Sequence, residues 1–159
     1  MKNNTFKLLV TVTILVTLLS IFHLISLTIQ SIYISGLQGA EYGGAWNDKI
    51  LWGQIGIFAG RIIAGFCFYI SLAIFMLKMT TNYKKGIIFP KSNIKLLYSC
   101  SLSYFIYSFC NINIDIMYAA NEHYLKLDTE DVVFTLLFVT FAMMYHLAER
   151  ISEENKLTI

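Results

Sequence analysis

LLVTVTILVTLLSIFHLISLTI, residues 8–29, carries no formal charge, and none interrupts the chain between Lys7 and Glu41. A bilayer core about 30 Å thick is crossed by about 20 helical residues, so this stretch is long enough to span it. It also exceeds the about 7–15 apolar residues of a secretory signal, and no small-residue cleavage pattern follows it promptly. Lys2 and Lys7 therefore read as the basic flank of an uncleaved membrane anchor.

Working outward, the remaining charges divide the chain into three further apolar runs. The second lies between Lys49 and Lys78 and is broken only by Arg61. The third runs from Leu96 to Ile114, the fourth from Val132 to Ala148. Hydrocarbon leaves no water to satisfy backbone groups, which selects helices or closed barrels. A barrel would show alternating segments of about ten residues, and these runs are continuous. The expected fold is all-α: a four-helix transmembrane bundle in a single domain spanning 1–159, with helices about 8–35, 50–80, 94–116 and 130–150 and a tail 151–159. Pro90 falls harmlessly between the second and third runs, and Gly36, Gly39, Gly43 and Gly44 punctuate the first connection. Asp128 or Thr129 is placed to cap the fourth helix and Ser92 or Asn93 the third. Lys84 and Lys85, followed by Gly86, suit the C-terminal end of the second.

Composition agrees. Hydrophobic residues make up 57% and charged residues 14%, against about 45–50% and about 25% in soluble domains. No basic surface with interleaved aromatics speaks for direct nucleic-acid binding. Cys67, Cys100 and Cys110 lie inside apolar runs with no zinc or disulfide spacing, and read as small buried apolar side chains.

Orientation follows from lysine and arginine. The N-terminal segment (Lys2, Lys7), the middle connection (Lys78, Lys84, Lys85, Lys91, Lys95) and the tail (Arg150, Lys156) hold nine of the twelve basic residues. All fall on one side of a four-span topology. Both termini are thus expected in the cytoplasm, with the chain multi-pass in a bacterial inner membrane. Tyr42, Trp46 and Trp52 would form an outer aromatic belt.

Arg61 is the residue most in need of a partner. An arginine at the centre of a spanning helix costs at least about 2.5–3.5 kcal/mol on insertion scales and is usually met by a polar neighbour. Ser101, Tyr104, Ser108, Asn111, Asp115 and Tyr118 recur at spacings that put them on one stripe of the third helix. Gln54 shares the Arg61 face of the second helix, and His23 lies in the outer half of the first. An outward-facing polar pocket of His23, Gln54, Arg61, Asn111 and Asp115 follows, with Asp115 as counter-charge; ordinary interhelical hydrogen bonding explains the same residues. Gly56, Gly60 and Ala64 form a small-residue groove that serves bundle packing or a homo-oligomer. His123 and His146 make no metal spacing. There is no P-loop, no G-x-S-x-G and no H-E-x-x-H, so no enzyme, metal or cofactor is expected.

The ending Glu153-Glu154-Asn155-Lys156-Leu157-Thr158-Ile159 resembles the terminal E-E-N-x-L-T-I/V signature of a bacterial family of small four-helix membrane proteins catalogued as domain of unknown function 2975. Gly86, Phe89, Asn93, Lys95 and Leu97 are similar to its G-x-x-F…N-x-K-x-L pattern before helix three. The likeness in helix order covers nearly the whole chain, the specific motifs only this loop and the tail. It implies a regulatory, sensing or immunity-type protein that contacts a cytoplasmic partner such as a helix-turn-helix regulator. Gly86, Phe89, Asn93, Lys95, Glu154, Asn155, Leu157 and Thr158 are the expected contact residues; the same residues fold the cytoplasmic cap if they contact one another. The alternative is a component of a small transporter or channel, with the Arg61 pocket lining its path.

Overall fold

The structure, a computed structural model, describes the backbone over residues 2–40, 51–87, 89–117 and 125–157. Tyr42, Gly43, Gly44, Trp46, Tyr118, His123 and Thr158 lie outside the described residues, as does the side chain of Leu157. Within them the chain forms four α-helices and one short 3₁₀ turn: α1 (Lys2–Ala40), α2 (Leu51–Lys84), α3 (Lys91–Ile112), the turn Ile114–Met117, and α4 (Thr129–Leu157).

The helices are longer than their apolar runs. At about 1.5 Å per residue, the 39 residues of α1 reach roughly 58 Å. Gly36 and Gly39 do not end α1, which continues through them to Ala40; single glycines weaken a helix without stopping it. The C-terminal residues are likewise no separate tail, because α4 runs on to Leu157. Conversely, α3 stops at Ile112, and Asn113 starts a 3₁₀ turn that holds Asp115.

Helix ends follow local chemistry. Asp128 Oδ1 accepts the Glu130 backbone N–H at 2.9 Å, capping α4, whose first turn carries Glu130 and Asp131. At the end of α2, Gly86 adopts φ 76°, the Gly86 N–H bonds the Tyr83 carbonyl and the Ile87 N–H reaches back to Asn82. This is a Schellman cap, and its left-handed position favours glycine. Neither Ser92 nor Asn93 caps α3. Pro90 occupies the cap position and Asn93 lies inside the first turn, its N–H on the Pro90 carbonyl.

The helices pack serially and antiparallel: α1 on α2, α2 on α3, α3 on α4. Thr13 bonds Thr80 at 2.6 Å and His23 stacks on Tyr69 along the first seam. Ser71 meets Ser99 and Gly60 faces Cys110 along the second. Ser101 bonds the Thr135 carbonyl and Asn93 the Tyr145 hydroxyl along the third. Among the described residues α1 and α4 do not meet, whereas α2 also touches α4 through Phe68 on Phe138 and Phe75 on Tyr145, so the bundle is open between α1 and α4 and its outer faces are bare. Phe22 and Ile29 on α1, and Met144 and Leu147 on α4, are each about 60% or more exposed.

Three helices, α1, α2 and α4, are long and apolar enough by length and composition to cross a membrane. Large apolar faces this extensive fit hydrocarbon rather than water. Hydroxyls in these helices bond their own backbone: Thr17 to the Thr13 carbonyl, Ser31 to that of Leu27, Thr140 to that of Leu136. Each polar atom is thereby satisfied without leaving the helix, as a lipid solvent requires. α3 is the polar member. Its buried set includes Asn93, Ser101, Ser103 and Ser108, all covered by its neighbours.

Small residues fit these seams. A Cβ on Gly60 would come within 2.7 Å of Cys110 Sγ, and one on Gly65 within 2.6 Å of Leu27 and 3.0 Å of the Tyr107 ring. Ala64 is buried with them, whereas Gly56 faces open space. Gly60 therefore serves packing within the chain. Cys100 and Cys110 are buried as their apolar setting requires, but Cys67 is exposed on the outer face of α2.

Candidate functional site

Two buried charges stand out, one in each half of the bundle. The first is Arg61, only 4% exposed. Its Nε donates to Asn111 Oδ1 at 3.0 Å and its Nη2 to Gln30 Oε1 at 2.5 Å. Gln30 is itself held by α1, its Nε2 donating to Ser26 Oγ at 3.1 Å. Arg61 Nη1 is buried without a partner, and Arg61 forms no ion pair among the described residues. Neutral amides from two neighbouring helices thus solvate the cation.

The expected pocket is assembled only in part. Arg61 and Asn111 meet. Asp115 does not serve as counter-charge: it sits in the 3₁₀ turn, 63% exposed, paired with Lys126 at 3.3 Å. The cause is Asn113, fully buried, whose side chain accepts from the Lys126 N–H and donates to the Lys126 and Phe109 carbonyls. That clamp turns the chain away from the α3 stripe just before Asp115. Gln54, also fully buried, donates to the Ile116 carbonyl at 3.0 Å and ties α2 to the same turn. His23 stacks on Tyr69 at 5.1 Å, away from the guanidinium. The stripe itself divides between neighbours: Ser101 and Tyr104 bond α4, the latter to Asp131, while Asn111 bonds α2. A cleft of about 320 Å³ between α1 and α2 is lined by Thr28, Ser31, Ile32, Phe58, Ile62 and Phe66, a mainly apolar surface suited to hydrocarbon. Gln30 was the partner that sequence reasoning missed. Its signal is a polar side chain four residues after Ser26 in an otherwise apolar run.

The second charge is Glu149 on α4, 3% exposed. Lys91, at the start of α3, bridges it to Glu153 with Nζ–O distances of 3.4 and 3.0 Å. The Lys91 side chain is 69% exposed. Its pKa is raised, first by the hydrogen bond to Glu153 and then by the charge of Glu149. Glu149 Oε2 has no hydrogen-bond partner, and His146 Nδ1 is 3.8 Å away. Beneath this layer Asn93, fully buried, donates to the Tyr145 hydroxyl at 3.1 Å, and Phe89 packs edge-on against Tyr145 at 5.1 Å. Tyr145 also joins Leu97 and Ala142 in an apolar cluster.

The expected contact residues fall on this end in two groups. Phe89 and Asn93 are used internally, locking the α2–α3 connection onto α4. Gly86 forms the cap, and Lys95, Glu154 and Asn155 are exposed. Among the described residues no three His, Cys, Asp or Glu side chains gather as a metal site would need. Comparison with family models, with characterised proteins and with solved structures finds no match.

Proposed function

We propose that this chain is a four-span membrane protein, both termini cytoplasmic, that works by contact rather than catalysis, through the end of the bundle where the α2–α3 connection meets the last turns of α4. The observation that carries the reading is the composite face there: Lys91 bridging Glu149 and Glu153, with Lys95, Glu154 and Asn155 exposed beside it. Two segments distant in sequence are locked into one charged surface, as a docking face needs. The resemblance of Gly86–Leu97 and Glu153–Ile159 to the family motifs supports the same end, and with it a regulatory, sensing or immunity-type role toward a cytoplasmic protein such as a helix-turn-helix regulator.

Four crossings are supported by register. α3 starts beside the end of α2, and its following turn returns to Gln54, near the start of α2. Its 22 residues cover roughly 33 Å, about one bilayer core. A helix that runs the length of a spanning neighbour crosses with it, and four polar side chains of α3, Asn93, Ser101, Ser103 and Ser108, are buried in the bundle. The concentration of lysine at the Lys84 end then supports a cytoplasmic position for that end.

In intact cells, Lys126→Cys should react with a membrane-impermeant maleimide and Lys95→Cys only after permeabilisation. The reverse pattern, or labelling of both from one side, overturns the topology. For the contact itself, a photo-crosslinking residue at Ile87 should give a discrete protein adduct in native membranes, whereas one at Leu136 on the apolar face of α4 should give lipid. Lipid adducts alone at both positions would refute it.

A further inference from the structure

Beside Glu149 lies a cavity of about 230 Å³, lined by Gly86, Ile87, Phe89, Pro90, Lys91, Glu149, Ser152 and Glu153. It is smaller than the about 300–1,000 Å³ typical of sites for drug-sized ligands, and matches a side-chain-sized group. Three properties fix the chemistry it suits.

First, Glu149 contributes a carboxylate whose side chain is 4% exposed and whose Oε2 has no hydrogen-bond partner. A buried carboxylate oxygen left without a donor is costly, and a group bearing N–H donors removes that cost. Second, the charge is unbalanced. Among the residues that line the cavity, Glu149 and Glu153 face one lysine, while His146, 55% exposed, stands 3.8 Å from Glu149. Arg150, next along α4, forms no ion pair among the described residues. The described lining thus holds two carboxylates against one ammonium. Third, the one cation among the described lining residues, Lys91, is held by its tip from a 69% exposed side chain. Its shorter bridge, to Glu153, joins two exposed side chains and contributes little; its contact with the buried Glu149 is the longer one, at 3.4 Å. Lys91 occupies the carboxylates as an internal competitor. Phe89 supplies an aromatic wall on which a cation can rest.

We propose that this cavity binds a nitrogen-based cation, a guanidinium or alkylammonium group, which displaces Lys91 from Glu149 and takes the free Oε2. The cation is carried either by a basic side chain of a docking protein or by a free amine. The first source rests on the contact reading above; the cavity's chemistry does not.

The test uses the full chain in lipid nanodiscs and two probes: the acetylated methylamide of arginine, and putrescine. Binding is followed by saturation-transfer NMR or calorimetry. Saturable binding of either probe is expected, weakened about tenfold or more by Glu149→Gln and tightened at least about threefold by Lys91→Gln, which frees the carboxylates. Preference for the arginine amide assigns the cation to a side chain, and preference for putrescine to a free amine. Absence of saturable binding by both probes overturns the proposal, as does equal affinity in Glu149→Gln. Lys91→Gln alters an exposed residue, so an unchanged or weaker affinity in that folded variant refutes the competitor role even if Glu149→Gln fails to fold. Probe binding without the Ile87 crosslink would keep the cavity and reject the contact reading; the crosslink without probe binding would do the reverse.

Discussion

Arg61 and Glu149 are both buried ions, and the bundle treats them in opposite ways. Arg61 lies deep in α2, and among the described residues its partners are the neutral Asn111 and Gln30, drawn from the helices on either side. Glu149 lies near the end of α4 and has a true counter-ion, but one that reaches in from a mostly exposed side chain. Removing an Arg61 partner strands a charge that has nowhere to go. Removing Glu149 leaves a lysine that is already in water. The contrast teaches that the Arg61 layer is built to hold helices together, whereas the Glu149 layer keeps a charge available.

The largest expected effect comes from breaking the first layer. Asn111→Ala deletes one of two hydrogen bonds to a guanidinium whose Nη1 is already unpartnered. Hydrogen bonds to charged groups contribute about 1.5–3 kcal/mol, and stranding a buried charge costs about 3–5. A loss of about 3 kcal/mol is expected in reversible unfolding in mixed micelles. Arg61→Met on top of it should recover part of that loss, because the stranded charge is then gone. A cost below about 1 kcal/mol for Asn111→Ala would mean that the layer is not structural.

Next in size is Gly65→Ala, one helical turn from Arg61. The added methyl meets Leu27 at 2.6 Å and the Tyr107 ring at 3.0 Å, so α1 and α3 must both yield. Overpacking of this kind costs about 1–3 kcal/mol, and about 2 is expected in the same assay. Gly56→Ala, with nothing within 4 Å, is the matched control and should be neutral or slightly stabilising through helix propensity.

What the sequence made legible follows from range. The four helices were readable because apolar runs are local and a bilayer fixes their minimum length. Arg61 announced itself because nothing nearby is charged, and Asn111 because it lies on the polar stripe of α3. Asp115 misled because helical periodicity was extended past Ile112, while the actual path depends on Asn113 closing onto Lys126 across the following loop. No local pattern encodes that closure. Gln30 was hidden by its surroundings: in an apolar run, one amide reads as tolerated noise until the facing helix is known. Glu149 follows the fourth apolar run and stands beside Arg150, where a charge ordinarily meets water; its burial depends on where the α2–α3 connection docks, a tertiary fact set by Phe89 and Asn93 against Tyr145.

The smallest expected effect is the sharpest test of the contrast. Glu149→Gln removes a carboxylate that is 3% exposed, a change that ordinarily signals a large loss. Here the terms nearly cancel. The neutral amide keeps the volume and ends the cost of burying a charge whose Oε2 has no donor. The attraction to Lys91 is lost, but that lysine remains solvated and keeps Glu153 at 3.0 Å. That surviving pair, exposed on both sides, contributes about 0–1 kcal/mol, and the lost attraction to Lys91 is offset by the burial cost that ends with the Glu149 charge. The net change in stability is therefore expected to lie within about 1 kcal/mol of zero, in the assay that registers about 3 for Asn111→Ala. A loss as large as that of Asn111→Ala would make Glu149 a structural ion like Arg61 and erase the distinction between the layers. A neutral result, joined to lost cation binding in the same variant, would leave Glu149 a buried charge that folding does not require.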